Sequence, residues 1–172
     1  ISNNSVQNDV DGDDAAGICI RDGTVTIDSN IISHNHLSSS NSDTAGSTGI
    51  YANNNQWSVT IIGNTVVGNI ASGTRKTAGV LIRESSYDPK YVTVSLKSNL
   101  ITGNIGNGEG NSQAVLIKRT EGCIVNGNTI HGNNTTYDLY ADFGNSETLT
   151  AENNDWGATN SDQIRARIYD FF

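Results

Sequence analysis

Residues 61–69 read Ile-Ile-Gly-Asn-Thr-Val-Val-Gly-Asn, and this stretch contains the pattern that decides the fold. An aliphatic residue stands three positions before an asparagine, and a large apolar residue stands two positions after it. The pattern occurs six times, with alanine as the first residue of the last copy; its asparagines are Asn4, Asn30, Asn64, Asn99, Asn128 and Asn154. The residue five positions further on is polar each time: Asp9, Asn35, Asn69, Asn104, Asn133 and Thr159. The copies lie roughly 25 to 35 residues apart, which is typical of solenoid repeats.

A second pattern, a small or turn-forming residue followed by three apolar residues, recurs between these asparagines. It starts at Gly17, Gly49, Gly79, Ala114 and Asp138. Each repeat therefore contains two or three short strands separated by Gly, Asn, Ser and Thr turns. Because a short strand cannot bury its apolar face alone, successive repeats must stack in register. We therefore predict a hydrogen-bonded ladder of Asn30, Asn64, Asn99, Asn128 and Asn154, with about 4.8 Å between neighbours.

Three segments carry a resemblance to a known family. Residues 61–69, 97–104 and 125–133, with Gly-Ile-Tyr-Ala at 49–52 and Gly-Val-Leu-Ile at 79–82, resemble the right-handed parallel β-helix repeat family, which includes pectate-lyase-like and NosD-like proteins. The resemblance covers nearly the whole chain. It implies an all-β fold, a right-handed parallel β-helix of about six coils over residues 1–159. The family contains lyases, hydrolases, epimerases, adhesins and structural rods, so the fold does not imply one activity.

The last 13 residues have a different pattern. Asn160 is suited to begin a helix, and Ile164, Ile168 and Phe171 follow at the spacing of one apolar helical face. We expect a short C-terminal cap helix over residues 160–172 that covers the strand edges of the last coil. Trp156 is expected to fill the end of the coil stack.

The composition limits the classes of partner. The chain has 172 residues, with 10 Lys and Arg against 18 Asp and Glu, which gives a net charge of −8. No basic surface is available to neutralise phosphates, so nucleic acid is not expected as a partner. No apolar stretch is long enough to span a membrane. Because Ile1 lies inside a repeat, we expect further coils or domains before it, in a secreted or cell-surface protein.

The two cysteines are not expected to form a disulfide. The alternation of apolar residues places Cys19 on the outer face of its strand and Cys123 in the core, several coils away. Two free thiols are therefore predicted. The histidines are scattered through turns, and no zinc-type spacing occurs.

An acidic run offers a candidate metal site. Asp9, Asp11, Asp13 and Asp14 place carboxylates close together, and Ca²⁺ takes six to eight oxygen ligands. The run departs from an EF-hand loop, because Asp14 stands where that loop has glycine and Ile20 where it has the bidentate acid. A calcium site and a solvated acidic turn both remain open, and no other cofactor is indicated.

The strands that start at Gly17, Gly49, Gly79, Ala114 and Asp138 provide the candidate binding face. In carbohydrate-active β-helix proteins the sugar chain lies over this face, so the resemblance implies a binding row here. Its members are Tyr51, Arg83, Glu84, Lys118, Tyr140 and Asp142. Aromatic faces pack against sugar C–H groups and cations pair with uronate carboxylates, so an acidic polysaccharide is the expected ligand. The alternative is that adjacent coils alternate charge for solubility and for pairing between coils.

Two functional hypotheses follow. One is an extracellular β-helical module that is structural or binds polysaccharide within a larger protein. The other is the C-terminal portion of a carbohydrate-active enzyme, of the polysaccharide lyase or epimerase type. A lyase needs a base and cations that neutralise the uronate, and a glycosidase needs clustered carboxylates. The outward side chains form a row and not a cluster, which favours the first hypothesis. No catalytic residue is assigned.

Overall fold

Short parallel strands make up most of the chain. A computed structural model describes residues 1–8, 14–15, 17–21, 23–39, 46–53, 58–73, 76–83, 93–107, 112–118, 121–142 and 149–170. Within these residues the elements are, in chain order, β1 (Ser5–Asn8), β2 (Asp14–Ala15), β3 (Ile18–Arg21), β4 (Val25–Asp28), β5 (Ile31–Ser33), β6 (His36–Ser39), β7 (Gly46–Ser47), β8 (Ile50–Asn53), β9 (Val59–Ile62), β10 (Thr65–Val67), β11 (Ile70–Ser72), β12 (Lys76–Arg83), β13 (Thr93–Lys97), β14 (Leu100–Thr102), β15 (Ile105–Asn107), β16 (Gln113–Lys118), β17 (Glu121–Asn126), β18 (Thr129–Ile130), β19 (Tyr137–Asp142), β20 (Leu149–Thr150), α1 (Ser161–Arg165) and β21 (Ile168–Asp170).

These strands form four sheets in which every pairing within the described residues is parallel. Sheet 1 contains β2, β3, β7, β8, β12, β16, β19 and β21. Sheet 2 contains β4, β9, β13, β17 and β20, sheet 3 contains β5, β10, β14 and β18, and sheet 4 contains β1, β6, β11 and β15. The chain visits the four sheets in turn, and each coil lies on the preceding one. The fold is a right-handed parallel β-helix, as the sequence predicts.

Each corner on either side of sheet 3 is made by a left-handed residue followed by asparagine. At the corner between sheets 2 and 3, the residues with positive φ that precede an asparagine are Ser29, Gly63, Ser98, Gly127 and Asn153. At the corner between sheets 3 and 4, which we call the second corner, they are Asn3, His34, Gly68, Gly103 and Gly132. Glycine adopts this conformation without steric cost, and asparagine tolerates it better than most residues. The left-handed residue turns the chain sharply, so a three-residue strand can separate two corners.

The predicted asparagine ladder is present at the corner between sheets 2 and 3. The backbone N–H and Nδ2 of Asn64 both donate to Oδ1 of Asn99, at 2.9 and 3.1 Å. Nδ2 of Asn64 also donates to the backbone oxygen of Ile27 in the preceding coil, at 2.8 Å. The same side-chain contact repeats along Asn30, Asn64, Asn99, Asn128 and Asn154. Each buried amide is thus paired both within the ladder and with the backbone.

A second ladder runs parallel to the first, at the corner between sheets 3 and 4. It contains Asn4, Asn35, Asn69, Asn104 and Asn133. The sequence register of the first repeat is therefore wrong. Asn4 donates to Asn35 and not to Asn30, and Ser5 pairs with His36. The error arises because the second corner has the same local spacing in the next two coils, with Ile32, Asn35 and Leu37 in one and Val66, Asn69 and Ala71 in the other.

The core consists of columns of inward side chains, one residue from each coil. One column of sheet 2 is Ile27, Ile61, Leu96 and Val125, and one column of sheet 3 is Ile32, Val66, Ile101 and Ile130. All of these are buried. Burial of each aliphatic side chain contributes about 1.5 to 3 kcal/mol before entropy is subtracted. Cys123 is buried in the same core and Cys19 is exposed, and neither forms a disulfide, as predicted.

The glycines of sheet 1 mark a close approach between coils. A Cβ atom at Gly49 would overlap the backbone oxygen of Gly79. The crowding continues between β12 and β16, where a Cβ atom at Gly79 would overlap the backbone oxygen of Ala114. The register shifts in this pair, so that Ala114 lies opposite both Ala78 and Gly79. In the next pair, β16 and β19 align without a shift, and Ala114 carries a side chain at the equivalent position.

The C-terminal segment is only partly helical. Asn160 caps the helix as expected, because its side chain accepts a hydrogen bond from the backbone N–H of Asp162. The helix ends at Arg165, and Ile168 lies in strand β21, which pairs with β19 and extends sheet 1. The expected helical face that continues through Ile168 is therefore wrong. Phe171 lies outside the described residues.

A clasp of two residues, Asp138 and Arg167, attaches this segment to the last coil. Arg167 donates through Nε and Nη2 to the two carboxylate oxygens of Asp138, each at 3.0 Å. Its Nη1 donates to the backbone oxygen of Thr135 at 2.6 Å. The Asp138 side chain is 3% exposed and that of Arg167 34%. Trp156 and Ile168 are partly buried and pack against the hydrophobic core. Within the described part of the chain, no helix has the length and apolar character to cross a membrane.

Candidate functional site

The outer face of sheet 1 carries two rows of side chains, with the register that the sequence predicts. The aromatic and aliphatic row is Cys19, Tyr51, Leu81, Leu116 and Tyr140, and β21 adds Tyr169. The charged row, two residues further along each strand, is Arg21, Asn53, Arg83, Lys118 and Asp142. Parallel pairing brings these residues, which are far apart in sequence, to neighbouring positions on one face.

Only part of the first row is accessible. Tyr51 and Leu81 are fully buried although they lie on the outer face. Leu116 and Tyr140 are half-buried. Tyr51 therefore does not offer an exposed aromatic face in this structure, whereas Tyr140 lies in the part of the sheet that solvent reaches.

Two cations of the charged row, Arg83 and Lys118, contact other residues of the protein. Nζ of Lys118 lies 3.2 Å from Oδ2 of Asp142 on the next coil, and the side chains are 41% and 32% exposed. The guanidinium carbon of Arg83 lies 5.8 Å from the ring centroid of Tyr51, within the range of a cation–π contact. The local charge of Lys118 is thus balanced by its neighbour, as the charge-alternation alternative anticipates.

Three tyrosines form a cluster at the C-terminal end of this face. The rings of Tyr140 and Tyr169 are stacked, with centroids 4.4 Å apart and planes 14° from parallel. Tyr137 packs beside both rings, at 5.6 Å from Tyr140 and 5.5 Å from Tyr169. All three are half-buried. Sequence reasoning found only Tyr140. It missed Tyr169 because a strand at 168–170 was not expected, although the alternation of Ile168, Tyr169 and Asp170 is compatible with one.

The surroundings of Tyr140 stabilise its neutral form. Burial raises the pKa of Tyr140 above the ordinary tyrosine value, and the neighbouring Tyr169 and Asp142 raise it further. The hydroxyl group therefore remains a hydrogen-bond donor throughout the neutral pH range.

The clasp holds the tyrosine cluster in place. Arg167 lies two residues before Tyr169 and is bound by Asp138, which lies between Tyr137 and Tyr140 on β19. The backbone N–H of Asp138 also donates to the backbone oxygen of Arg167 at 2.8 Å. The position of the Tyr169 ring is thus fixed from the backbone as well as by stacking.

The other candidate residues are not tested by the geometry. Glu84, Asp9, Asp11 and Asp13 lie outside the described residues, and Asp14 is described only as part of β2. Within the described residues, no group of three or more His, Cys, Asp or Glu side chains could hold a metal ion. The calcium site therefore stays a prediction.

The tyrosine cluster provides aromatic surface and hydroxyl groups, and the charged row provides the ion pair of Lys118 and Asp142. Both lie on the outer face of sheet 1. Such a surface can bind a ligand through packing and hydrogen bonds. Comparison with protein-family models, with curated proteins and with solved structures finds no match for this chain.

Proposed function

We propose that this chain is a polysaccharide-binding β-helical module of a secreted or cell-surface protein, and that the tyrosine cluster is its binding surface. The observation that carries the proposal is the contiguous, half-buried aromatic surface of Tyr137, Tyr140 and Tyr169 on the outer face of sheet 1. Aromatic rings with a polar end suit ligands that present both C–H groups and hydroxyls, as sugars do.

The position of the cluster supports this reading. Tyr169 belongs to the last strand of sheet 1, and its ring stacks on Tyr140 from the preceding strand. The ring face of Tyr169 that turns away from Tyr140 therefore lies beyond the last paired strand of the described sheet. Lys118 and Asp142 flank the cluster and supply a donor and an acceptor for hydroxyl groups.

Rigidity also favours binding. The two asparagine ladders fix the spacing of the coils, and the clasp fixes β21. A preorganised surface loses little conformational entropy when a ligand binds. The resemblance to pectate-lyase-like and NosD-like proteins adds support for a carbohydrate ligand, since sugar chains lie over the equivalent face in carbohydrate-active members.

The proposal is tested by a glycan array followed by calorimetry, with wild type and a Tyr137→Ser, Tyr169→Ser double variant. We expect the wild type to bind a linear glycan and the double variant to lose at least about tenfold in affinity. The magnitude is taken from the stacking of a nucleic-acid base on an aromatic side chain, a contact of comparable size that is worth ~1 to 3 kcal/mol. Leu100→Ser is the matched control, since it removes an exposed apolar side chain from sheet 3. Circular dichroism verifies that all variants are folded.

Two results would count against the proposal. One is equal glycan binding by the wild type and the double variant, which would place the contact elsewhere. The other is no binding by the wild type to any glycan, which would leave the chain as a structural stack of coils.

A further inference from the structure

We infer that Asp142 sets the charge specificity of this surface, so that it selects uncharged polysaccharide over polyuronate. The inference rests on the proposed function and names the ligand class of the same site. It departs from the acidic ligand that the cations of the charged row suggest from sequence alone.

The first step is the pairing of Lys118. Its Nζ lies 3.2 Å from the Asp142 carboxylate, and both groups occupy the same register position on adjacent coils. A uronate carboxylate that approached Lys118 would have to displace Asp142 or lie beside it. In either arrangement a second negative charge comes close to the first, which is unfavourable.

The second step concerns the other charges that a polyanion would meet on this face and on the whole chain. Arg83, the other cation of the row in the central coils, is half-buried and lies over the ring of Tyr51. Tyr140 carries no charge at neutral pH, because burial raises its pKa above the ordinary tyrosine value. The whole chain has a net charge of −8, which repels a polyanion at long range.

The third step is what the surface offers a neutral polymer. Packing on the tyrosine cluster needs no charge, and the Lys118–Asp142 pair can exchange hydrogen bonds with hydroxyl groups while it stays intact. A neutral chain therefore meets no uncompensated charge, whereas a polyuronate meets Asp142. Asp142 thus acts as an element of specificity against charged ligands.

The test uses one polymer backbone in two charge states, polygalacturonate and its fully methyl-esterified form, with binding measured by calorimetry. We expect the wild type to bind the ester more tightly than the acid. Asp142→Asn should raise the ratio of the affinity for the acid to the affinity for the ester roughly fivefold, because an exposed ion pair is worth up to about 1 kcal/mol. The gain should disappear at high salt.

Two further variants isolate the cause. Asp28→Asn removes the same charge from an exposed position on sheet 2 and should not change the preference. Lys118→Gln in the Asp142→Asn background should abolish the gain, because the cation that binds the uronate is lost. Stronger binding of the acid by the wild type, or an equal gain from Asp28→Asn, would overturn the inference while the proposed function stands. Failure of both polymers to bind to the wild type and to every variant would also overturn the inference, and the glycan array would then decide whether the proposed function stands.

Discussion

Each corner of the β-helix beside sheet 3 depends on two consecutive residues. The first adopts positive φ, and the second is an asparagine whose amide pairs with the coils on both sides. The side chain of Asn99, for example, donates two hydrogen bonds and accepts two, at a point where short strands leave backbone groups unpaired. Asn64, Asn99 and Asn128 are at most 2% exposed, so water cannot replace these bonds.

Replacement of Asn99 by Leu tests this role. Leucine has a similar size but removes the acceptor of the backbone N–H of Asn64 and the Nδ2 donor to the backbone oxygen of Ile61, both in the interior. We expect the free energy of unfolding to fall by about 1 to 3 kcal/mol, measured by denaturant titration. Asn107→Leu, at an exposed position of β15, is the control and should change stability by less than about 0.5 kcal/mol. Equal stability of Asn99→Leu and wild type would show that the ladder does not stabilise the fold.

The spacing of single residues was sufficient to predict the first ladder, because a side chain that recurs once per coil must stack on itself. It was insufficient to assign Asn4. The same local pattern also occurs at the second corner, as Ile32, Asn35 and Leu37, so the pattern alone does not assign Asn4 to one of the two corners.

Among the elements, the C-terminal segment is the one whose secondary structure the local sequence pattern predicted incorrectly. The spacing of Ile164 and Ile168 fits a helical face. However, Arg167 binds the buried carboxylate of Asp138 on β19, and Ile168 pairs with β19 at the edge of sheet 1. Tertiary pairing thus overrides a weak helical periodicity. The candidate site was incompletely predicted for the same reason, because Tyr169 reaches Tyr140 only through this strand.

Removal of the Arg167 side chain should weaken the attachment of β21. In Arg167→Met, the Asp138 carboxylate remains buried without its cation, and we expect a loss on the order of 3 kcal/mol. The exposed Arg165 lies two residues earlier, and Arg165→Met is the matched control with little expected effect. Thermal denaturation with near-ultraviolet circular dichroism reports both stability and the tyrosine environment. If the two variants were equally stable, the clasp would be dispensable.

In the whole molecule, sheet 1 links the stability of the coil stack with the proposed binding surface. It has the largest number of strands in the described chain, its last strand comes from the C-terminal segment, and the tyrosine cluster lies across that last pairing. An open strand edge can pair with another chain, and β19 would become such an edge without β21. We therefore expect the segment that completes the proposed binding surface also to protect the end of the coil stack.

Deletion of residues 160–172 should consequently expose β19 and promote self-association. We expect the truncated chain to form oligomers or precipitate at concentrations where the full chain has one size, measured by size-exclusion chromatography with light scattering. Deletion of 166–172 alone should have the same effect, because it removes β21 and keeps α1. Asn160→Ala is the control: it weakens the helix cap by about 1 kcal/mol but leaves the strand in place. Should both truncated chains remain as soluble and stable as the full chain, the last strand would not protect this edge, and the Tyr169 ring would have to be held for binding alone.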